Sequence, residues 1–154
     1  MGISMPDTQI MRHLEALLRH SPLVRGGFLG HDERPIEEIF QADRDTLLRL
    51  GITAKQIAQR MAELTSAGKS RYGAPVSVTP HLTISSEEYK GRIDCPWPNC
   101  PRFDKRVTTA CRSDLGQCLR WTDLNIHLIG EHGFFEGRGS AFRLEPEELI
   151  RFLF

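Results

Sequence analysis

Two cysteines and two histidines bracket the stretch that most constrains this chain: Cys95 and Cys100 at one end, His127 and His132 at the other. Thiolate sulfur and neutral imidazole nitrogen are the ligands zinc favours, four together in a structural site. The cysteines stand in CPWPNC, a knuckle whose prolines stiffen the turn. Two sulfurs so close in sequence grip one ion at little cost in loop entropy. The histidines stand in TDLNIHLIGEH, behind Thr122 or Asp123 as a helix cap. One ion held from both ends draws residues 93–154 into a single body. Four protein ligands leave no open coordination position, so the zinc expected here is structural rather than catalytic.

The histidine end resembles the helix of the two-cysteine, two-histidine zinc finger. Leu124 lies three positions before the first histidine, and four residues separate the histidines. The resemblance runs over residues 93–133, roughly a quarter of the chain. It implies a strand–strand–helix unit with zinc on Cys95, Cys100, His127 and His132. It also implies base contacts from helix positions −1, 3 and 6, which here are Arg120, Asp123 and Ile126. One departure is plain: such a finger has about twelve residues between its last cysteine and first histidine, and the gap from Cys100 to His127 is far longer. The inserted RVTTACRSDLGQCLRW reads as a β-hairpin turning at Ser113 to Gly116. It carries Cys111 and Cys118, which are either members of a different zinc set or facing neighbours buried as small apolar residues. Residues five apart on an ideal helix point about 140° from each other. The two imidazoles are therefore expected to meet by a loosening of the last turn, eased by Gly130 and Gly133.

Ahead of this module the pattern is helical. Ile10, Leu14, Leu17 and Leu18 recur at helix spacing over residues 6–19, with Ser4 or Asp7 as cap. A loop follows, LVRGGFLGHDERP, where Arg25, His31, Asp32, Glu33 and Arg34 crowd around Gly26, Gly27 and Gly30. Backbone amides beside glycines can cradle an anion, but neither GxGxxG nor a P-loop is present. Pro35 opens a second helix that ends at Gly51, and Thr53 with Gln56 forms a capping box opening a third. The turn between them has the look of a helix-turn-helix, which would turn Lys55, Gln59 and Arg60 toward nucleic acid; an ordinary helical hairpin fits it as well. The texture changes at RYGAPVSVTPHLTIS, where prolines and alternating Val76-Val78 and Leu82-Ile84 indicate strands or an extended link. At the far end Pro146 opens a last helix. Its Leu149, Ile150, Phe152, Leu153 and Phe154 are too apolar for a free tail and must dock on this chain or on a second copy.

The expected architecture is α+β: helices over 5–70, an extended linker or short strands over 71–92, and a zinc-stabilised ββα-like region with a closing helix over 93–154. Net charge is zero, so no overall field drives the chain toward nucleic acid or an anionic membrane. Charge is sorted locally: residues 90–121 hold seven Lys/Arg against three Asp/Glu. Arg102, Lys105, Arg106, Arg112 and Arg120 give the hairpin a basic character suited to phosphate contact. No apolar run has the length of a membrane span, and the N-terminus lacks a signal pattern. A cytoplasmic setting is expected, in which four cysteines favour metal over disulfides. The first functional expectation is a small regulatory or adaptor protein with structural zinc and a protein partner. The second is a nucleic-acid binder using the hairpin 102–120. The third is an enzyme at the glycine loop 25–34; no nucleophile elbow, HExxH or zinc-deaminase motif supports it.

Overall fold

The computed structural model describes residues 5–21 and 26–154; the caps expected from Ser4 and the Asp7 side chain, and Arg25 of the loop, lie outside its description. The element order is α1 (Met5–Arg19), α2 (Ile36–Leu50), α3 (Ala54–Lys69), β1 (Val76–Thr79), β2 (Leu82–Asp94), β3 (Arg102–Arg112), β4 (Gln117–Thr122), α4 (Asp123–His132) and α5 (Pro146–Leu153). The protein is thus α+β, with helices and strands in the order expected.

Local chemistry accounts for most of the helix ends. Pro35 is the N-cap residue of α2, and its missing N–H is no loss where no helical carbonyl is available. Gly51 ends α2 in the left-handed conformation, returning its amide to the carbonyls of Leu47 and Leu48. The Thr53–Gln56 capping box then opens α3 in both directions. α3 runs on through Gly68 to Lys69. A Cβ at Gly68 would sit 2.6 Å from the Ser86 hydroxyl, so this glycine lets the helix lie directly on β2.

The four strands form one antiparallel sheet in the order β1-β2-β3-β4. β2 and β3 pair from Leu82 opposite Arg112 to Asp94 opposite Arg102, with extra residues Lys90 and Gly91 bulging from β2. β4 pairs only with the far half of β3, from Val107–Thr122 to Arg112–Gln117. The other half of the β2–β3 pair runs on as a two-stranded ribbon and ends in the cysteine knuckle.

Two apolar clusters hold these parts together. The first joins α3, the sheet, α5 and one side of α4 around Met61, Leu64, Ile84, Trp121, Ile129 and Phe152. Within it the Trp121 indole N–H donates to the Thr65 hydroxyl (2.9 Å), which sits 3.0 Å from the Thr108 hydroxyl, itself 3.0 Å from that of Ser86. These groups are buried, so their mutual pairing is what allows them there. The second cluster joins α1, α2, the loop residues Phe28 and Leu29, Leu124 and Leu128 of α4, and Cys95 itself. α4 lies between the two, which explains a helix apolar on nearly all sides. Leu149, Ile150, Phe152 and Leu153 of α5 are buried within their own chain, while Phe154 is exposed.

Candidate metal centre

The ribbon and α4 deliver the four side chains. Cys95 and Cys100 sit in the connection between β2 and β3, where Asn99 takes the left-handed conformation (φ 62°) that Asn tolerates better than most residues. The Trp97 amide donates to the Cys95 sulfur. Thr122 caps α4 through a box with Asn125, accepting from the Asn125 amide at 3.0 Å. The helix then runs back along the ribbon toward the knuckle.

One ligand atom from each of Cys95, Cys100, His127 and His132 lies within 4.8 Å of all the others, so the group could hold a metal ion. His132 Nε2 is 3.6 Å from both Sγ atoms. A tetrahedral ion with bonds of about 2.3 Å to sulfur and 2.0–2.1 Å to nitrogen requires S···N edges of about 3.5–3.6 Å. His127 Nε2 is buried with no hydrogen-bond partner among the described residues. An orphaned nitrogen of this kind costs stability unless something accepts its lone pair, and a cation among two sulfurs and a second imidazole would do so.

Electrostatics point the same way. Burial, aided by the nearby Cys100, pushes the Cys95 thiol up to about 12. Without a metal this thiol stays protonated, and a bound divalent ion would stabilise the thiolate and release the proton to solvent. Burial also lowers the pKa of His127 and of His132, favouring the neutral ring that coordinates. Trp97 stacks on His132, rings 4.0 Å apart and 7° from parallel, and Phe103 lies 4.5 Å from the His127 ring. Phe134 is buried and packs edge-on to Phe40 and beside Trp97, walling this side from water. Nothing in the residue pattern singled out Trp97; only its place inside the knuckle hinted at it.

Two expectations need correction. The last turn of α4 does not loosen: it is helical through His132, and Gly133 caps it with φ 62° and a 3.0 Å bond to the Ile129 carbonyl. The two side chains themselves converge, rings 5.1 Å apart and near perpendicular. Gly130 serves packing instead, since a Cβ there would lie 2.9 Å from that of Ala58 on α3. Secondly, Cys111 and Cys118 face each other across the β3–β4 hairpin, as one of the two alternatives had it, but they are neither zinc ligands nor buried apolar neighbours. They are bonded to each other and Cys118 is exposed, so only two of the four cysteines are left for a metal. The long Cys-to-His interval is β3 and β4, one strand more than the finger pattern has.

The basic residues of the hairpin are dispersed. Arg106 is largely buried and ion-paired with Asp123 and Glu88. Arg112 pairs with Asp114 and donates to the Phe152 carbonyl at 2.9 Å, and Arg102 pairs with Asp94 at 2.8 Å. Lys105 and Arg120 are exposed, the latter 5.8 Å over the Phe142 ring. Of the residues at the base-reading positions, Asp123 is therefore held by Arg106 and Ile126 packs against the first cluster. On α3, Lys55 and Gln59 are exposed.

The glycine loop meets a second one. The Phe28 carbonyl accepts from the Gly137 amide (2.8 Å), and the His31 amide donates to the Arg138 carbonyl (3.1 Å). Asp32 is buried and binds the Arg34 guanidinium and the Arg138 amide, which hold its carboxyl well below the usual range. A Cβ at Gly137 would be 2.4 Å from the Leu29 carbonyl oxygen, so these glycines permit close backbone contact.

Comparison with protein families, with characterised proteins and with solved structures finds no match to this chain. Among the described residues no helix is long and apolar enough to cross a membrane.

Proposed function

We propose that this is a small zinc-binding protein of regulatory or adaptor type. In this reading a structural zinc on Cys95, Cys100, His127 and His132 locks the ribbon onto α4, and the surface so ordered binds another protein. The observation that carries the metal assignment is the convergence of four ligand atoms within 4.8 Å, one of them the partnerless His127 Nε2. The saturated donor set argues for a scaffold, because it leaves no position for water or substrate. A protein partner is favoured over nucleic acid because Arg102, Arg106 and Arg112 already have carboxylate partners. On the hairpin the nucleic-acid reading is left with Lys105 and Arg120, and on α3 with the exposed Lys55 and Gln59.

Metal analysis of the purified chain tests the assignment. About one zinc per chain is expected, lost in Cys95→Ser and in His127→Ala and retained in Cys118→Ser. Zinc retained by Cys95→Ser would overturn the ligand set. A gel-retardation series at two salt concentrations addresses the partner class. Phosphate-driven binding weakens steeply with salt, and a strong, salt-sensitive shift on duplex or single-stranded probes would replace the protein-partner reading.

A further inference from the structure

Away from the metal group, a cleft of about 360 Å³ opens between the β2–β3 ribbon and the two joined glycine loops. Its walls are largely apolar, built from Phe28, Ile93, Val107, Leu124 and Phe142, and Glu136, Asp104 and Lys105 line it as well. That volume and that lining suit a small organic molecule.

Glu136 is the unusual member. It is 4% exposed. Its carboxylate accepts from the Asn125 amide nitrogen (2.6 Å) and the Ser140 hydroxyl (3.1 Å), both neutral donors. The nearest guanidinium, Arg143, spends its donors elsewhere: on Asp43, on Glu145 and on the backbone carbonyl of Glu136. Asp104, the other carboxylate at the cleft, has Arg92 and Arg106 beside it. Glu136 is therefore the cleft carboxylate with no ion-pair partner among the described residues, and a buried charge without one is costly. The residue also adopts φ 67°, a conformation strained for any side chain but tolerated by glycine, and glycine occupies the next position. A carboxyl kept at that double cost is the pattern of a functional group rather than of a packing residue. Burial pushes its pKa up to about 7, against the opposing pull of its hydrogen bonds to Asn125 and Ser140 and of the Arg143 charge.

We propose that the cleft binds a small organic cation with an apolar, flat body, such as an aryl amidine or arylalkylamine, whose charged N–H groups pair with Glu136. The aromatic and aliphatic walls take the ring, and the carboxylate supplies a charge-assisted hydrogen bond in a desolvated setting. This site is distinct from the four ligands of the metal group, although its walls Ile93 and Leu124 stand on the ribbon and on α4, the elements the metal would join.

Benzamidine is the test probe, titrated into the full-length protein and followed by methyl NMR signals of Ile93, Val107 and Leu124. Saturable shifts confined to those methyls are expected, with Ile57 and Leu64 in the far cluster unmoved. Glu136→Gln, which keeps the size of the side chain and removes its charge, is expected to weaken binding about ten-fold or more. Val107→Trp, which fills the cleft and leaves Glu136 in place, is expected to abolish it. The proposal is overturned if the cleft methyls do not shift, if Glu136→Gln binds benzamidine as tightly, or if benzoate binds as well as benzamidine.

Discussion

Glu136 makes the sharpest residue-level prediction. Its carboxyl titrates at about 7 in the folded protein against 4.5 for an ordinary glutamate. A pKa raised on folding means the folded state prefers the protonated form. The associated stability is fully present below pH 4.5 and is lost as pH rises through 7. The shift corresponds to about 3 kcal/mol. Urea unfolding of the wild type and of Glu136→Gln at a series of pH values isolates this contribution. The wild type is expected to lose stability relative to the variant between pH 4.5 and 7, and parallel curves would refute it. Gly130 offers a steric counterpart. Gly130→Ala places a methyl 2.9 Å from the Ala58 methyl, an overpacking expected to cost about 1–3 kcal/mol. Because the clash is between two rigid atoms, Ala58→Gly should restore much of the loss, a coupling that a double-mutant cycle in urea measures.

At the scale of elements, the β3–β4 hairpin is the addition that separates this module from the finger it resembles. β4 fills the space beside the far half of β3, from Val107 to Arg112, and α4 then occupies the corresponding place beside the ribbon. The Cys111–Cys118 bond closes only this tight hairpin. Constraining so short a loop removes little unfolded-state entropy, about 2 kcal/mol. The double variant Cys111→Ser/Cys118→Ser is therefore expected to lose about that much stability and to keep its metal. Thermal unfolding with parallel zinc analysis checks both halves of the expectation. Loss of zinc would mean that the hairpin, rather than the knuckle and α4, carries the site.

The whole molecule is tied through α4, which faces both apolar clusters. The two tryptophans report on them separately: Trp121 lies in the first, and Trp97 packs against the second beside His132. If α4 couples the clusters, both must unfold together. Single-tryptophan variants, Trp97→Phe and Trp121→Phe, should give coincident urea transitions. Chelator should lower both midpoints equally, since metal binding free energy is folding free energy for the chain that needs it. Separate transitions would show that the helices α1 and α2 with the knuckle fold apart from the sheet.

Much of this was legible in one dimension. The helix stop at Gly51, the Thr53–Gln56 box and the hairpin turn at 113–116 follow from short-range chemistry, backbone freedom and capping acting over a few residues, and ligand type alone suggested the grouping of Cys95, Cys100, His127 and His132. Other outcomes depended on which surfaces met. Periodicity marked Ile10 and Leu17 as apolar-face residues of α1, yet both are exposed and only Leu14 and Leu18 are buried, because the contact takes a narrower stripe than the pattern offers. The purpose of Gly68, Gly130 and Gly137 is invisible until the neighbour each admits is known. The bond between Cys111 and Cys118, the engagement of Arg106 with Asp123, and the isolation of Glu136 among neutral donors are likewise settled by groups distant in sequence. Local preference acts through the backbone's own few dihedrals; burial and charge compensation are properties of the assembled body, and only the assembled body decides them.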